Sequence, residues 1–382
     1  MPYHKTSPDT DSETEQYPIE PRYHPIHKVT RTVYDFLASA KLAMALLVVI
    51  LICCLTGVTI LRGEQAWKFI FSSIWFNAIL VVLVINVACC FFGRIWGRKV
   101  TVISFGMILF HLSFVCMSLG IVYNSLFYFR GNIRLTEGEA LPSGDPASYD
   151  NFEKGRFFDF SRNKGETRLN SVHIGYKAGD DDKRAAYDVT VGEGNERKQG
   201  VIYITHKLTY KGFDYFNDKE GFSLLVDLFD TQGRKLYAAH VPLQSIKQQD
   251  ASYIYATGYT DEKRVVKPEA VLFPHEPASP KFGLLLGYYP SKLVNRGGEA
   301  RFTVYSIDGK MALSDKPVFD GQAKIGDKIS AGDYLLSARE VRYWVGMLVR
   351  YEPGKPIVLT SLWVGLAGMI ITTIGRVVRS SR

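Results

Sequence analysis

Cysteine is scarce in this chain and misplaced for redox work. Five occur in 382 residues, and all of them, Cys53, Cys54, Cys89, Cys90 and Cys116, fall inside apolar runs. The long polar middle of the chain has none, so no disulfide framework organises it, and at its size a hydrophobic core suffices. There is no C-x-x-C, and neighbouring cysteines on a helix point about 100° apart, which argues against a thiol oxidoreductase. No C-x-x-C-H occurs either, so the chain is not itself a c-type cytochrome. G-x-S-x-G, H-E-x-x-H, a Walker A loop and a clustered carboxylate pair are likewise missing. A self-contained hydrolase or nucleotide enzyme is therefore not supported. About 40 mostly polar residues precede the first apolar run, and no cleavable signal peptide is expected.

What the chain does have is apolar sequence in four blocks. With 47% hydrophobic and 22% charged residues the composition looks ordinary, but the apolar residues concentrate at 42–61 (LAMALLVVILICCLTGVTIL), 69–92 (FIFSSIWFNAILVVLVINVACCFF), 102–123 (VISFGMILFHLSFVCMSLGIVY) and 357–378 (IVLTSLWVGLAGMIITTIGRVV). A hydrocarbon core about 30 Å thick takes roughly 20 such residues in a helix. The expected fold class is an integral membrane protein with four transmembrane helices, three and then one, and a large mostly-β extracytoplasmic domain between the third and fourth. The expected division is a disordered cytoplasmic tail at 1–32, a three-helix transmembrane region at 33–123, the extracytoplasmic β-rich domain at 124–355, and a fourth transmembrane helix with a basic cytoplasmic tail at 356–382.

Orientation follows from the cations near the run ends. Lys28, Arg31 and Lys41, then Arg94, Arg98 and Lys99, then Arg376, Arg379 and Arg382 mark the cytoplasmic side, whereas the connection after the first run has Arg62 and Lys68 offset by Glu64. Both termini are thus expected in the cytoplasm and the polar block outside a bacterial inner membrane. The net charge of +8 is largely accounted for by these flanking cations, so no nucleic-acid partner is inferred.

Within the runs, the polar residues are the informative ones. His24 and His27 in HPIH precede the runs in a Pro-, Ser- and Thr-rich tail and have no further ligand near them. Tyr34 and Phe36 lead into the first run at aromatic-belt depth, and Ala38, Ala40, Ala43 and Ala45 allow close helix approach. Asn77 and Asn86 in the second run are nine apart, hence on opposite faces, and read as interhelical hydrogen-bonding groups. In the third run Ser104, His111 and Ser118 are seven apart and share one stripe, the side expected to face protein. An ionisable ring in the middle of an apolar helix is costly enough to mark a functional site by default. Two readings of His111 stay open on the residues alone: a hydrogen bond to a neighbouring helix, or an axial bond to haem iron. No other apolar run has a histidine, so a second axial histidine would have to come from another chain.

The polar block reads as strands. VIYITHKLTY, GFSLLVDLFDTQGRKLYAAHV, RFTVYSIDGKMALS and AYDVTVGEGNERKQGVIYI combine β-branched and aromatic runs with turn signals. An antiparallel sandwich-like or barrel-like domain in one or two lobes is expected, with the longest loops at 248–300. His173, His206, His240 and His275 lie here without short metal spacing. Pro353, Gly354 and Pro356 supply a turn before the last run.

These parts together resemble the ResB family, also called CcsB, of the system II cytochrome c biogenesis machinery. The resemblance rests on FLASAKLAMALLVVILICCLTGVTI, FSSIWFNAILVVLVINVACC, the His-bearing third run, the INxxL-like stretch ITHKLTYKGFDYFND, and RYEPGKPIVLTSLWVGLAGMII, in that order. It implies a subunit of a cytochrome c haem lyase and haem transport complex, with a CcsA/ResC-type membrane partner that brings a tryptophan-rich haem-handling motif and external histidines. It further implies apocytochrome c as substrate, a membrane-anchored thioredoxin-like reductase as a further partner, and His111 as an intramembrane haem axial ligand, with haem held transiently. No tryptophan-rich motif is present here, so the chain alone is not expected to form thioethers. The exported block is shorter than in many members and the leading tail longer, which leaves open a paralogue serving particular cytochromes. A membrane-anchored extracytoplasmic scaffold or binding module with no haem role, and a cytochrome b-like electron carrier, remain the rival readings.

Overall fold

The computed structural model describes residues 25–61, 63–92, 101–247, 253–260, 266–275, 278–291, 296–308 and 312–381. The chain divides into two compact units, Met1–Val122 with Ile357–Arg382, and Tyr123–Pro356.

The first unit is helical. A helix starts at Pro25 and runs to Leu37, so the part of the expected tail from residue 25 onward is ordered; proline at the first helical position needs no N–H and has its φ preset. His24 lies outside the described residues. Ser39 is extended (φ −78°, ψ 125°) and breaks the chain before the helix Ala40–Thr56. Among the described residues three helices are long and apolar enough to cross a membrane, Ala40–Leu61, Val102–Phe127 and Lys355–Ser380. Large apolar side chains such as Met44, Val58 and Trp363 stay exposed on them, as lipid-facing residues do.

The second apolar run is not one straight helix. A π-helical turn at Trp67–Phe71 ends where Ser72 donates its N–H to the Trp67 carbonyl, and Ser73 then caps a new helix by accepting from Phe76 N. The remaining apolar helix, Ile74–Cys90, is shorter than the other three. Two serines that compete for backbone hydrogen bonds interrupt what hydropathy alone reads as continuous.

Small residues set the closest helix pair. Gly106, Ser113 and Gly120 are buried at seven-residue intervals on Val102–Phe127, and each meets Lys355–Ser380. A Cβ on Gly106 would lie 2.7 Å from Gly368 O, one on Gly365 would lie 2.5 Å from Ser113 Oγ, and one on Gly120 would touch Ile357. This is the close approach that small residues permit between membrane helices.

The second unit is β-rich, and among the described residues every strand pair in it is antiparallel. A seven-stranded sheet, a six-stranded sheet, a four-stranded sheet and a two-stranded ribbon make it up. Two 18-residue strands, Phe213–Asp230 and Tyr334–Tyr351, run side by side from Phe213↔Tyr351 to Asp230↔Tyr334. Their length joins two cores. One end of the ladder contributes Phe213, Tyr215, Val345, Met347 and Val349 to a core shared with Ile133, Leu169 and Val189. The other contributes Leu224, Val226, Leu336 and Val341 to a core with Leu284, Leu286 and Phe302. Between them Gly221 pairs with Trp344. The stretch expected to be loops contains the strand Phe282–Pro290, whose Phe282, Leu284, Leu286 and Tyr288 are buried. Its glycines and following proline hid the alternation.

Candidate functional site

His111 sits on Val102–Phe127, half-buried, with its ring edge-on to Phe110 at 5.4 Å. Its Nδ1 is 2.8 Å from the carbonyl oxygen of Met107, one turn earlier. A carbonyl only accepts, so Nδ1 carries the hydrogen in this contact. A ring fixed in one tautomer by a backbone carbonyl is the arrangement metal-binding histidines use. Nε2 is the ring nitrogen that would hold a haem iron, and among the described residues His111 is the sole histidine of the membrane-length helices.

The surroundings of that ring are set by helix geometry. Ser118 and Val122 fall within about 20° of His111 around the helix axis. Ser118 is 1% exposed, and Val122 packs on the cluster of Ile70, Phe76 and Leu80. Ser104 is half-buried. Ser118, His111 and Ser104 thus lie on the side of the helix turned to the first apolar helices, while Gly106, Ser113 and Gly120 serve the last one. An apolar cavity of about 290 Å³ opens beside Phe110, Phe114 and Met117 against Trp363, Leu366 and Met369, and His111 is not among its lining residues.

The other polar residues of the helical unit are structural. Asn86, fully buried, donates from Nδ2 to the carbonyls of Leu37 (2.6 Å) and Ser39 (3.0 Å), and Cys90 Sγ donates to Ala38 O (2.8 Å). Together they hold the break at Ser39. Asn77 donates from Nδ2 to the carbonyl of Ser73, the N-cap of its own helix (2.8 Å). The five cysteines form no disulfide.

The four histidines of the β unit stay apart. Among the described residues no three His, Cys, Asp or Glu side chains gather in a metal-binding group. His173 and His206 are exposed at the two ends of a chain of rings, His173 to Tyr176 (6.1 Å), Tyr176 to Tyr203 (6.0 Å) and Tyr203 stacked on His206 (5.0 Å). His275 packs edge-on to Phe273. His240 is half-buried beside Ser223. Burial first, then the positive charges of Arg342 and Arg339, hold its imidazolium below the ordinary histidine range, with Glu340 pulling the other way.

Sequence reading missed the glycine stripe, although Gly106, Ser113 and Gly120 recur every seven residues beside Gly365, Gly368 and Gly375 in the last run. That spacing was the available signal.

The chain is 21% identical over 282 residues to the cytochrome c biogenesis protein CcsB of Picosynechococcus, covering 73% of this chain and 52% of that protein. It thus spans about half the length of the curated relative it matches. A family model described as the ResB-like family matches residues 95–379, from just before the His111 helix through nearly all of the last one. With three quarters of its length under that match, the chain belongs to the ResB-like family.

Proposed function

We propose that this chain is a subunit of a complex that matures c-type cytochromes by delivering haem and attaching it covalently, acting with a CcsA/ResC-type membrane partner. The observation that carries the reading is the His111 ring: fixed at Nδ1 by Met107 O, and placed mid-helix in a segment that falls within the family match. In this reading His111 holds haem iron through Nε2, and the partner subunit supplies the second axial ligand. Haem, when bound, supplies the vinyl groups that become thioethers with the cysteine thiols of apocytochrome c. The chain contributes positioning, since two thiols must meet the two vinyls in one orientation. It is not an enzyme alone.

The same reading places four spans in the inner membrane, with Ile74–Cys90 as the short one; about 17 residues is the lower limit for a crossing helix. Both termini are cytoplasmic, and the β unit is outside, where apocytochrome c and a membrane-anchored thioredoxin-like reductase would meet it. The match of the chain to a relative named for cytochrome c biogenesis supports this role. Deleting the chain from its host and assaying covalent haem in membrane c-type cytochromes tests it. Loss of covalent haem with apocytochromes still synthesised is expected. Normal covalent haem would leave a membrane-anchored scaffold with no haem role.

A further inference from the structure

The segment 152–162 (FEKGRFFDFSR) of the β unit is not used by any of this chemistry, yet its backbone is tied to the end of a membrane helix. Gly155 N donates to Tyr128 O (2.8 Å) and Phe157 N to Leu126 O (2.9 Å). The approach is so close that a Cβ on Gly155 would sit 2.4 Å from the Leu126 carbonyl. The helix Val102–Phe127 has 26 residues, about 39 Å at 1.5 Å per residue. That exceeds a hydrocarbon core of about 30 Å by roughly two turns, so its last turn lies at headgroup depth.

The side chains of the segment suit that depth. Phe157 is 56% exposed and Phe152 39% exposed, a cost in water that an acyl boundary removes. Phe157 stacks toward Phe127 with ring centroids 5.8 Å apart. Cations alternate with these rings. Lys154 lies over Phe160 at 5.3 Å, Arg162 lies over Phe127 at 5.6 Å and donates to Tyr351 OH, and Arg156 is exposed with no ion pair among the described residues. The segment's acids are Glu153, whose Oε2 is buried, and Asp159, which accepts from Ser161 and feels the charges of Arg162 and Lys154; Asp150 just before it pairs with Arg134 at 2.7 Å. Apolar rings at the acyl boundary with cations at phosphate level form an interfacial anchor.

We propose that residues 152–162 form a membrane-interface foot, in which Phe152 and Phe157 enter the acyl boundary and Lys154, Arg156 and Arg162 take the phosphates of anionic phospholipids. The foot binds the bilayer surface rather than a protein.

The test uses the full chain in nanodiscs. In mixed phosphatidylglycerol and phosphatidylcholine, the wild type should enrich phosphatidylglycerol in its retained lipid shell, and Lys154→Gln with Arg156→Gln should reduce that preference roughly fivefold per cation. Neither side chain is part of the β core, so folding is checked by unchanged thermal unfolding. Independently, Phe157→Trp adds one fluorophore. Its added emission, taken as the difference from wild type, should be quenched by brominated phosphatidylglycerol. An unchanged lipid preference in the double variant, or added emission quenched by aqueous iodide and not by bromolipid, would overturn the proposal.

Discussion

Gly106 and Gly368 meet backbone to backbone: a Cβ on Gly368 would lie 2.8 Å from the Gly106 carbonyl oxygen and 2.8 Å from Phe110 N. Neither backbone atom can rotate aside as a side chain could. The helices Val102–Phe127 and Lys355–Ser380 must therefore separate to admit any larger residue. Gly368→Leu is expected to cost about 1–3 kcal/mol by overpacking, read as a lowered midpoint of thermal unfolding in detergent. A midpoint equal to wild type would show that the pair is looser than described.

Asn86 is the internal clasp of the first helices. Its amide spans the carbonyls of Leu37 and Ser39 on either side of the chain break. Asn86→Leu keeps the volume and removes both bonds, leaving the half-buried Leu37 carbonyl without this donor while Ser39 O keeps Ala43 N, at about 1–3 kcal/mol for an unsatisfied group. Faster proteolysis near Ser39 checks it. Cys90→Ala, which removes one weak donor to Ala38 O, should have a smaller effect.

The waist of the β unit is equally specific. A Cβ on Gly221 would lie 2.6 Å from Trp344 Nε1 and 2.7 Å from Leu243 O, the pair joined by the indole hydrogen bond at 2.9 Å. Gly221→Val is expected to break that bond and destabilise both cores, by about 1–3 kcal/mol. Hydrogen exchange should show loss of protection on both sides of the waist in Phe213–Asp230. Loss confined to one side would mean that the cores unfold separately.

His240 gives the β unit an acid sensitivity. Its folded value lies below the ordinary 6.5 through burial and the nearby Arg342 and Arg339. The unfolded chain therefore binds the proton more readily, and the contribution to stability is present above about 6.5 and lost as pH falls toward the folded value. His240→Gln should flatten the pH dependence of the unfolding midpoint between about pH 5 and 7. An unchanged slope would assign that dependence to other groups.

Much of this was legible in the chain itself. Leucine- and valine-rich runs announced the membrane helices, and the turn signal TQG correctly separated Phe213–Asp230 from Lys235–Pro242. Asn86 read as an interhelical hydrogen-bonding group and is one. Other features depend on three-dimensional context. Hydropathy is blind to the Ser72–Ser73 interruption because two serines barely lower a window average. Phe282–Pro290 escaped because the face opposite its buried Phe282, Leu284, Leu286 and Tyr288 carries Gly283, Leu285 and Gly287 rather than polar residues, so the alternation is lost. His111 could be singled out by cost alone, but its Nδ1 contact depends on the Met107 carbonyl, which only the folded helix places at 2.8 Å.

The most direct measurement of the central claim is the absorbance of haem in the complex purified with its multi-span partner, comparing wild type, His111→Gly, and His111→Gly with added imidazole. Ligation predicts that His111→Gly loses the haem spectrum and that imidazole restores it, because the small ring replaces the missing Nε2 donor. A packed, non-ligating His111 predicts haem content and spectrum equal to wild type without imidazole, and that result would contradict the account.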